Sequence, residues 1–244
     1  MNHEMERAGN FLPRVDKAEG LNEVDRRVVS LTAPASTAAE QYRTLYYRLE
    51  RMRELRPMRV VAITSSVPGE GKTVTAVNVA LTAARANRDK RILLIDADLR
   101  RSQVADVLGI KGKPGLTEVL EGDAQLQDAI RRFQSTTLMV LPAGGMCEEP
   151  TEALASQRMK VLLKRLREAF DEVYVDLPPT LPFADASILG MQADGVMMVI
   201  RANQTSGKLV NQALESLQGA PLVGCVLNGA ELSQTPYVKN YLKK

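Results

Sequence analysis

The sequence predicts an α/β fold, a single doubly wound, mostly parallel sheet with helices on both faces. Six short apolar runs predict strands at 58–64, 91–96, 137–141, 172–176, 195–200 and 222–227. Helical stretches separate most of them, at 72–86, 156–170, 183–190 and 206–218. Because the strands are apolar throughout rather than alternating, both faces of the sheet are expected to be covered, as is typical of parallel sheets.

Length and composition are those of one globular domain, with 244 residues, 45% apolar and 25% charged. A net charge of +3 is too small to indicate nucleic-acid binding. His3 is the only histidine, and Cys147 and Cys225 stand far apart, so a Cys/His zinc site and a Ser-His-Asp triad are excluded. Two isolated thiols fit a reducing cytosol. No apolar run approaches the ~20 residues that cross a bilayer, and the N-terminus does not have the pattern of a secretory signal.

The chain is expected to divide into three parts. Residues 1–35 are polar and aperiodic, which predicts an extension with little structure. Residues 36–235 are expected to form the domain, and 236–244 a tail that contains tyrosines. Shorter helical pieces are predicted inside the domain at 103–108, 116–120 and 126–130.

The first long helix is predicted to begin at a capping box formed by Thr37 and Glu40. In such a box the Thr hydroxyl accepts from a backbone N–H, and the Glu side chain reaches back to the cap. The helix is expected to end at about Arg56, because Pro57 disfavours a helical residue before it.

A glycine-rich loop follows the first predicted strand. The segment from Ser66 to Thr73, SVPGEGKT, matches G-x-x-x-x-G-K-[ST] except that serine stands first. Gly69 and Gly71 let the backbone approach a phosphate, and their N–H groups with the helix N-terminus form an anion nest. Lys72 would neutralise the β and γ charges, and the Thr73 hydroxyl would bind Mg²⁺. A glycine-rich turn without ligand is the alternative, which a strand before and a helix after disfavour. The predicted nucleotide-binding residues here are Pro68, Gly69, Glu70, Gly71, Lys72, Thr73 and Val74.

Carboxylates end two further strands. The predicted strand in ILLIDADLRR ends in Asp96 and Asp98, and the strand in VYVDLPP ends in Asp176. They are expected at the carboxyl edge of the sheet, where ligands bind in open α/β folds. Paired acids can instead cap the next helix, which stays an alternative. Asp176 is predicted to hold Mg²⁺ through water. Together with the loop, these residues supply what phosphoryl transfer requires: charge neutralisation, metal placement and a base.

These segments resemble the bacterial protein-tyrosine kinases (BY-kinases) of capsule and exopolysaccharide biosynthesis, within the MinD/ParA-like P-loop ATPases. The resemblance rests on SSVPGEGKT, ILLIDADLRR and VYVDLPPT. Connecting segments match too: GLTEVLEG at 115–122, LPAG at 141–144, PTEALAS at 150–156, FADASIL at 183–189 and VLNG at 226–229. Because ATP binding does not require these connections, they favour this family over a generic P-loop NTPase.

The resemblance implies a kinase that passes the γ-phosphate of ATP to tyrosines, mostly its own, with Mg²⁺. It implies that Lys72 grips phosphate, that Asp98 is the base for the tyrosine proton, and that Asn228 contacts adenine. The catalytic residues that the resemblance implies are thus Lys72, Asp98 and Asp96. The implied metal ligands are Thr73, Asp96 and Asp176.

The resemblance also implies acceptors and an assembly surface. Tyr237 and Tyr241 are the tail tyrosines that would accept phosphate, although both rings could instead pack the tail onto the body. Glu40 and Arg43 match the first two places of the family's E-x-x-R-x-x-R assembly motif, while Tyr46 stands in the last. A homo-oligomer is therefore expected, with an ordinary surface helix as the alternative.

The expected partner is a membrane-embedded polysaccharide co-polymerase, a chain-length regulator. It would recruit a cytoplasmic kinase to the inner face of the membrane. Two other functions stay open. One is an ATP-binding switch or scaffold of the export machinery with little kinase activity. The other is a MinD/ParA-type positioning ATPase, which would carry an extra lysine where Ser65, Ser66 and Val67 stand.

Overall fold

The computed structural model describes residues 23–133 and 136–230. The strands within this part of the chain are β1 (Val60–Ser65), β2 (Ile92–Asp96), β3 (Arg131–Arg132), β4 (Leu138–Leu141), β5 (Glu172–Asp176), β6 (Gly195–Arg201) and β7 (Leu222–Asn228). They form one sheet in the order β3-β4-β2-β5-β1-β6-β7. Only β3 with β4 is antiparallel among these pairs. The predicted mostly parallel sheet is confirmed, and the short β3 is an addition.

Helices connect the strands and cover them. They are α1 (Val29–Thr32), α2 (Thr37–Leu55), α3 (Lys72–Ala86), α4 (Val104–Leu108), α5 (Leu116–Glu121), α6 (Leu126–Ala129), α7 (Pro150–Ala155), α8 (Gln157–Ala169), α9 (Asp185–Gly190) and α10 (Gly207–Ser216). α7 was not predicted from the sequence. Ser156 ends α7, and its hydroxyl caps α8 by accepting from the Met159 N–H. Within the described residues, no helix combines the length and apolar character needed to cross a bilayer.

Both faces of the sheet are buried. Ile63 and Leu94 pack in an apolar cluster with α2, α3 and α4. Their neighbours Ala62 and Leu93 belong to a second cluster, with α5 to α10. Because successive side chains of a strand point to opposite faces, a strand covered on both sides must be apolar throughout. This arrangement explains the uninterrupted apolar runs of β1, β2 and β5, which are buried along their whole length.

The start of α2 differs from the prediction by one residue. Ser36, not Thr37, is the N-cap, and its hydroxyl accepts from the Ala39 N–H at 3.2 Å. The Glu40 carboxylate binds Arg43 rather than reaching back to the cap. The predicted capping box is therefore wrong, because the serine one position earlier takes the capping place. The helix ends at Leu55, ahead of Pro57 as expected.

Part of the predicted N-terminal extension is folded. Val28 is fully buried, and α1 packs beside α3. The Ser30 N–H donates to Asn78 Oδ1 at 2.8 Å, and Asn78 Nδ2 donates to the Arg27 carbonyl at 3.0 Å. The expectation of little structure is wrong for these residues, since Asn78 on α3 supplies both a donor and an acceptor to them. The boundary at residue 36 stays a prediction, and the tail at 236–244 lies outside the described residues.

A buried ionic cluster joins α2 to the start of β5. The Glu172 carboxylate is 1% exposed and lies 2.9 Å from Arg53 Nη1 and 3.0 Å from Lys90 Nζ. It also accepts from the Tyr174 hydroxyl at 2.6 Å. Glu50 pairs with both cations, at 2.8 Å from Arg53 and 2.6 Å from Lys90. Each charge is thus matched, which is the condition under which a buried ion pair is tolerated.

Arg53→Met should destabilise the fold by about 3 kcal/mol, because it leaves the buried Glu172 carboxylate undercompensated. Urea unfolding at neutral pH measures this loss as a lower midpoint. Arg51→Ala is the matched control on the exposed face of α2, and it should change stability by less than about 0.5 kcal/mol. Equal effects of the two substitutions would contradict a structural role for the cluster.

Candidate active site at the carboxyl edge of the sheet

Three adjacent strands bring the predicted site residues together. β5 lies between β1 and β2, and Asp176 pairs in register with Ile63 on one side and Asp96 on the other. The chain leaves β1 through the glycine-rich loop and enters α3 at Lys72. The loop and the strand-end carboxylates therefore meet at one edge of the sheet, as the sequence predicts for an α/β ligand site.

The glycine-rich loop has the backbone of an anion-binding site. Gly69 and Gly71 adopt φ of +87° and +92°, the left-handed region that favours glycine. Gly71 is also the N-cap of α3, and because glycine has no side chain, none caps the first N–H groups of this helix. The first N–H groups of α3 and its dipole thus suit an anion such as phosphate.

Lys72 is held by two carboxylates. Its Nζ lies 2.8 Å from Asp98 Oδ2 and 3.5 Å from Asp176 Oδ2, and it donates to the Thr73 hydroxyl at 3.2 Å. Burial on its own would lower the pKa of Lys72. The neighbouring charges of Asp176 and Asp98 outweigh burial, and the pKa of Lys72 is raised. The side chain is therefore a cation at neutral pH although only 10% of it is exposed.

Asp96 is fully buried and bonded to backbone. Its Oδ2 accepts from the N–H groups of Gln103 and Val104, and its Oδ1 from that of Asp98. The helix-capping alternative for the paired acids is thus partly realised, since Val104 begins α4. Burial, reinforced by the nearby Asp176 charge, raises the pKa of Asp96 to about 8 against these hydrogen bonds. Its assignment as a metal ligand and catalytic residue stays a prediction.

Asp176 keeps one oxygen unsatisfied. Its Oδ2 accepts from the Thr73 hydroxyl at 2.7 Å, whereas its buried Oδ1 has no hydrogen-bond partner within the described residues. Burial raises the pKa of Asp176, and the charge of Lys72 opposes that shift. A carboxylate oxygen left over beside a threonine hydroxyl fits Mg²⁺, which prefers oxygen ligands.

The oxygen ligands that Thr73 and Asp176 offer suit Mg²⁺, which is seldom held by protein side chains alone. In the described ranges, no group of three or more His, Cys, Asp or Glu side chains is arranged to hold a metal ion. Mg²⁺ usually keeps several waters and takes one or two carboxylates plus phosphate oxygens. Thr73 and Asp176 meet this requirement.

Asp98 sits on a fixed loop after β2. Its Oδ1 accepts from the Arg101 N–H at 2.9 Å, and its Oδ2 faces Lys72. Arg100 anchors the loop by binding the buried carboxylate of Asp185 at 2.7 Å and stacking on Phe183, 3.9 Å from the ring centroid. Asp185 and Phe183 lie in the FADASIL segment, but the sequence did not indicate this contact, because it joins residues about 85 positions apart.

Asn228 lies at the loop as well. It ends β7, and its Nδ2 donates to the Glu70 carbonyl at 2.8 Å. Its contact with adenine stays a prediction.

Glu40 and Arg43 form an ion pair with each other on the exposed part of α2, and their role in assembly stays a prediction. Tyr237 and Tyr241 lie outside the described residues.

Comparison with known proteins shows what this chain is similar to. The AAA domain family matches residues 58–220. The chain is 38% identical to the tyrosine-protein kinase YwqD of Bacillus subtilis over 213 residues, which cover 86% of this chain and 89% of that protein. It is 36% identical to the succinoglycan biosynthesis transport protein ExoP of Rhizobium meliloti, covering 90% of this chain but 28% of ExoP. The kinase domain of the Escherichia coli tyrosine kinase ETK superposes with a TM-score of 0.80 at 27% identity, covering 96% of this chain and 89% of that one.

Stability without nucleotide should fall as pH rises from about 5 to about 8. With a folded-state pKa of about 8, Asp96 keeps a proton that its unfolded form, with a pKa of 3.8, releases. The folded state thus binds more protons across this window, so the free energy of unfolding decreases with pH. Urea unfolding at a series of pH values measures the slope.

Asp96→Asn should make that slope less steep, whatever its effect on the midpoint, while Asp176, whose pKa burial also raises, contributes the remainder. Asp89→Asn, at an exposed carboxylate, is the control and should keep the wild-type slope. A slope that is unchanged in Asp96→Asn would show that Asp96 does not contribute to it.

Proposed function

The chain belongs to the bacterial tyrosine-protein kinases, and we propose that it transfers the γ-phosphate of ATP to tyrosine side chains, chiefly its own. We further propose that this activity regulates the synthesis and export of a capsule or exopolysaccharide, since one relative is a succinoglycan biosynthesis transport protein. The observation that carries the proposal is the convergence of Lys72, Thr73, Asp98 and Asp176.

The phosphates of ATP would bind between the glycine-rich loop and the first turn of α3. There the backbone N–H groups and the helix dipole favour negative charge. Lys72 would exchange its ion pair with Asp98 for one with the β- and γ-phosphates. The exchange keeps the cation neutralised and at the same time releases one carboxylate oxygen of Asp98.

Asp98 would then act as the base. A carboxylate released from Lys72 can accept the proton of a tyrosine hydroxyl as the hydroxyl oxygen attacks the γ-phosphorus. The bond from the γ-phosphorus to the β,γ-bridging oxygen would break, and ADP would leave. The Arg101 N–H holds its other oxygen, and the Arg100 contacts fix the loop. Positioning and charge stabilisation account for most of the catalysis in such phosphoryl transfers.

Thr73 and Asp176 would hold Mg²⁺, with Asp96 ordering its surroundings. When bound, the ion neutralises charge on the phosphate oxygens. The unsatisfied Oδ1 of Asp176 supports this assignment, because a buried carboxylate oxygen without a donor otherwise carries a desolvation cost.

The proposed phosphate acceptors, oligomer contacts and membrane partner are based on the resemblance to the family. Tyr237 and Tyr241 are the proposed phosphate acceptors in a tail at 236–244. Glu40 and Arg43 are the proposed contacts of a homo-oligomer, since both lie on the exposed part of α2. The partner would be a membrane-embedded polysaccharide co-polymerase that recruits this cytoplasmic kinase to the inner face of the membrane.

Purified protein incubated with ATP and Mg²⁺ should gain phosphotyrosine at Tyr237 or Tyr241. Mass spectrometry of the tail identifies the sites, and Lys72→Met should abolish the signal because it removes the cation that faces the phosphates. Tyr237→Phe with Tyr241→Phe should abolish it while leaving ATP binding intact. ATP binding without any phosphotyrosine, even with the co-polymerase present, would contradict the kinase and favour a switch.

Asp98→Asn should lower the phosphorylation rate by roughly 10²- to 10⁴-fold, the range expected for loss of a general base. ATP affinity should change little, since the carboxylate acts on the tyrosine. Asp106→Asn, at an exposed carboxylate on α4, is the matched control and should keep the wild-type rate. A full rate in Asp98→Asn would exclude Asp98 as the base.

A further inference from the structure

The side chain of Glu70 is buried inside the glycine-rich loop and is not part of the mechanism above. It is 2% exposed. Its Oε2 accepts from the Val67 N–H at 2.9 Å, within the loop itself. Its Oε1 accepts from the Arg201 N–H at 3.2 Å and from the Thr205 hydroxyl. One carboxylate therefore joins the loop after β1 to the loop between β6 and α10.

The backbone of the same residue joins a third segment. The Glu70 carbonyl accepts from Asn228 Nδ2 at 2.8 Å, and the Asn228 carbonyl accepts from the Ala202 N–H at 2.8 Å. The loop after β1, the start of the β6–α10 loop and the end of β7 are thus closed into one ring of hydrogen bonds. The ring passes through both the side chain and the main chain of Glu70.

Close packing tightens this ring. A Cβ atom on Gly71 would collide with the Asn228 side-chain amide, so the amide lies directly against the backbone of the glycine-rich loop. A Cβ atom on Gly229 would lie 2.8 Å from the guanidinium carbon of Arg201. The absence of side chains at both glycines lets the three segments approach one another.

We propose that Glu70 is a positioning residue that couples the phosphate side of the nucleotide site to its base side. The inference rests on the proposed function, in which the glycine-rich loop binds the phosphates, and on the predicted contact of Asn228 with adenine. Through Glu70, the β6–α10 loop and Asn228 are ordered before the nucleotide arrives. Binding then costs less conformational entropy, because this ordering is completed on folding.

Thr205 offers a test that leaves the glycine-rich loop intact. Thr205→Val keeps the side-chain shape but removes the hydroxyl that donates to Glu70. Loss of a hydrogen bond to a charged acceptor should weaken ATP binding by about tenfold. Inorganic tripolyphosphate, which has no base, should bind as it does to the wild type. Thr205→Ser keeps a hydroxyl at this position and should restore ATP affinity.

Glu70→Gln should weaken the binding of both probes. An amide nitrogen cannot accept a hydrogen bond, so either the Val67 N–H or the donors from the β6–α10 loop lose their acceptor. Isothermal titration calorimetry measures both affinities, and a thermal melt checks that each variant is folded. In the phosphorylation assay, Thr205→Val should raise KM for ATP and leave kcat unchanged at saturating ATP.

Two results would overturn the role of Glu70. One is wild-type ATP affinity in Thr205→Val. The other is an equal loss of ATP and tripolyphosphate binding in that variant, which would indicate general loosening rather than coupling. Failure of the wild-type protein itself to bind ATP would instead overturn the proposed function, so the two failures are distinguishable.

Discussion

The ion pairs of Lys72 are the interaction on which the site depends. Asp96, Asp98 and Asp176 meet at the ends of neighbouring strands, nearly excluded from water. Such carboxylates repel one another, and burial penalises each charge further. Lys72 lies between Asp98 and Asp176 and offsets both effects. A lysine at the first position of α3 therefore stabilises the fold in addition to its proposed role in phosphate binding, because it compensates a buried acidic cluster.

β5 carries a buried acidic residue at each end, and the two ends differ in how fully their carboxylates are bonded. At its start, Glu172 forms ion pairs with Arg53 and Lys90 and accepts a hydrogen bond from the Tyr174 hydroxyl. At its end, Asp176 accepts a hydrogen bond from the Thr73 hydroxyl and forms an ion pair with Lys72. Its other oxygen has no hydrogen-bond partner among the described residues. The first arrangement is saturated and therefore structural. The second has capacity for one more ligand, which is what a reactive centre requires.

The sequence predicted the sheet and the central site because both depend on local patterns. Uninterrupted apolar runs indicated strands covered on both faces, and a motif of eight residues placed Lys72 and Thr73 at the start of a helix. Parallel strands share a carboxyl edge, so residues that end them had to lie close together. The neighbourhood of Lys72 with Asp98 and Asp176 followed from topology alone.

The features that the sequence did not reveal depend on contacts between distant positions. Glu70 reaches Thr205 across 135 positions, and Arg100 reaches Asp185 across 85. The docking of Ser30 on Asn78 spans 48. In each case a polar side chain meets its partner only after the sheet has formed, and no local sequence pattern indicates which distant residue that partner is. The start of α2 was misplaced for a simpler reason, since Ser36 and Thr37 are both good caps.

The ionic cluster that joins α2 to β5 also bears on which residues a shortened fragment of this protein should contain. The match to the AAA domain family begins at residue 58, yet Arg53, one of the two cations that pair with Glu172, lies upstream of that boundary. Asn228, which braces the glycine-rich loop, lies beyond the matched segment at the other end. A fragment trimmed to residues 58–220 would keep Lys72, Asp98 and Asp176. It would lose one of the two counterions of Glu172 and the hydrogen bond from Asn228 to the glycine-rich loop. The contacts that hold the site and the start of β5 therefore extend beyond residues 58–220, to which the family match is limited.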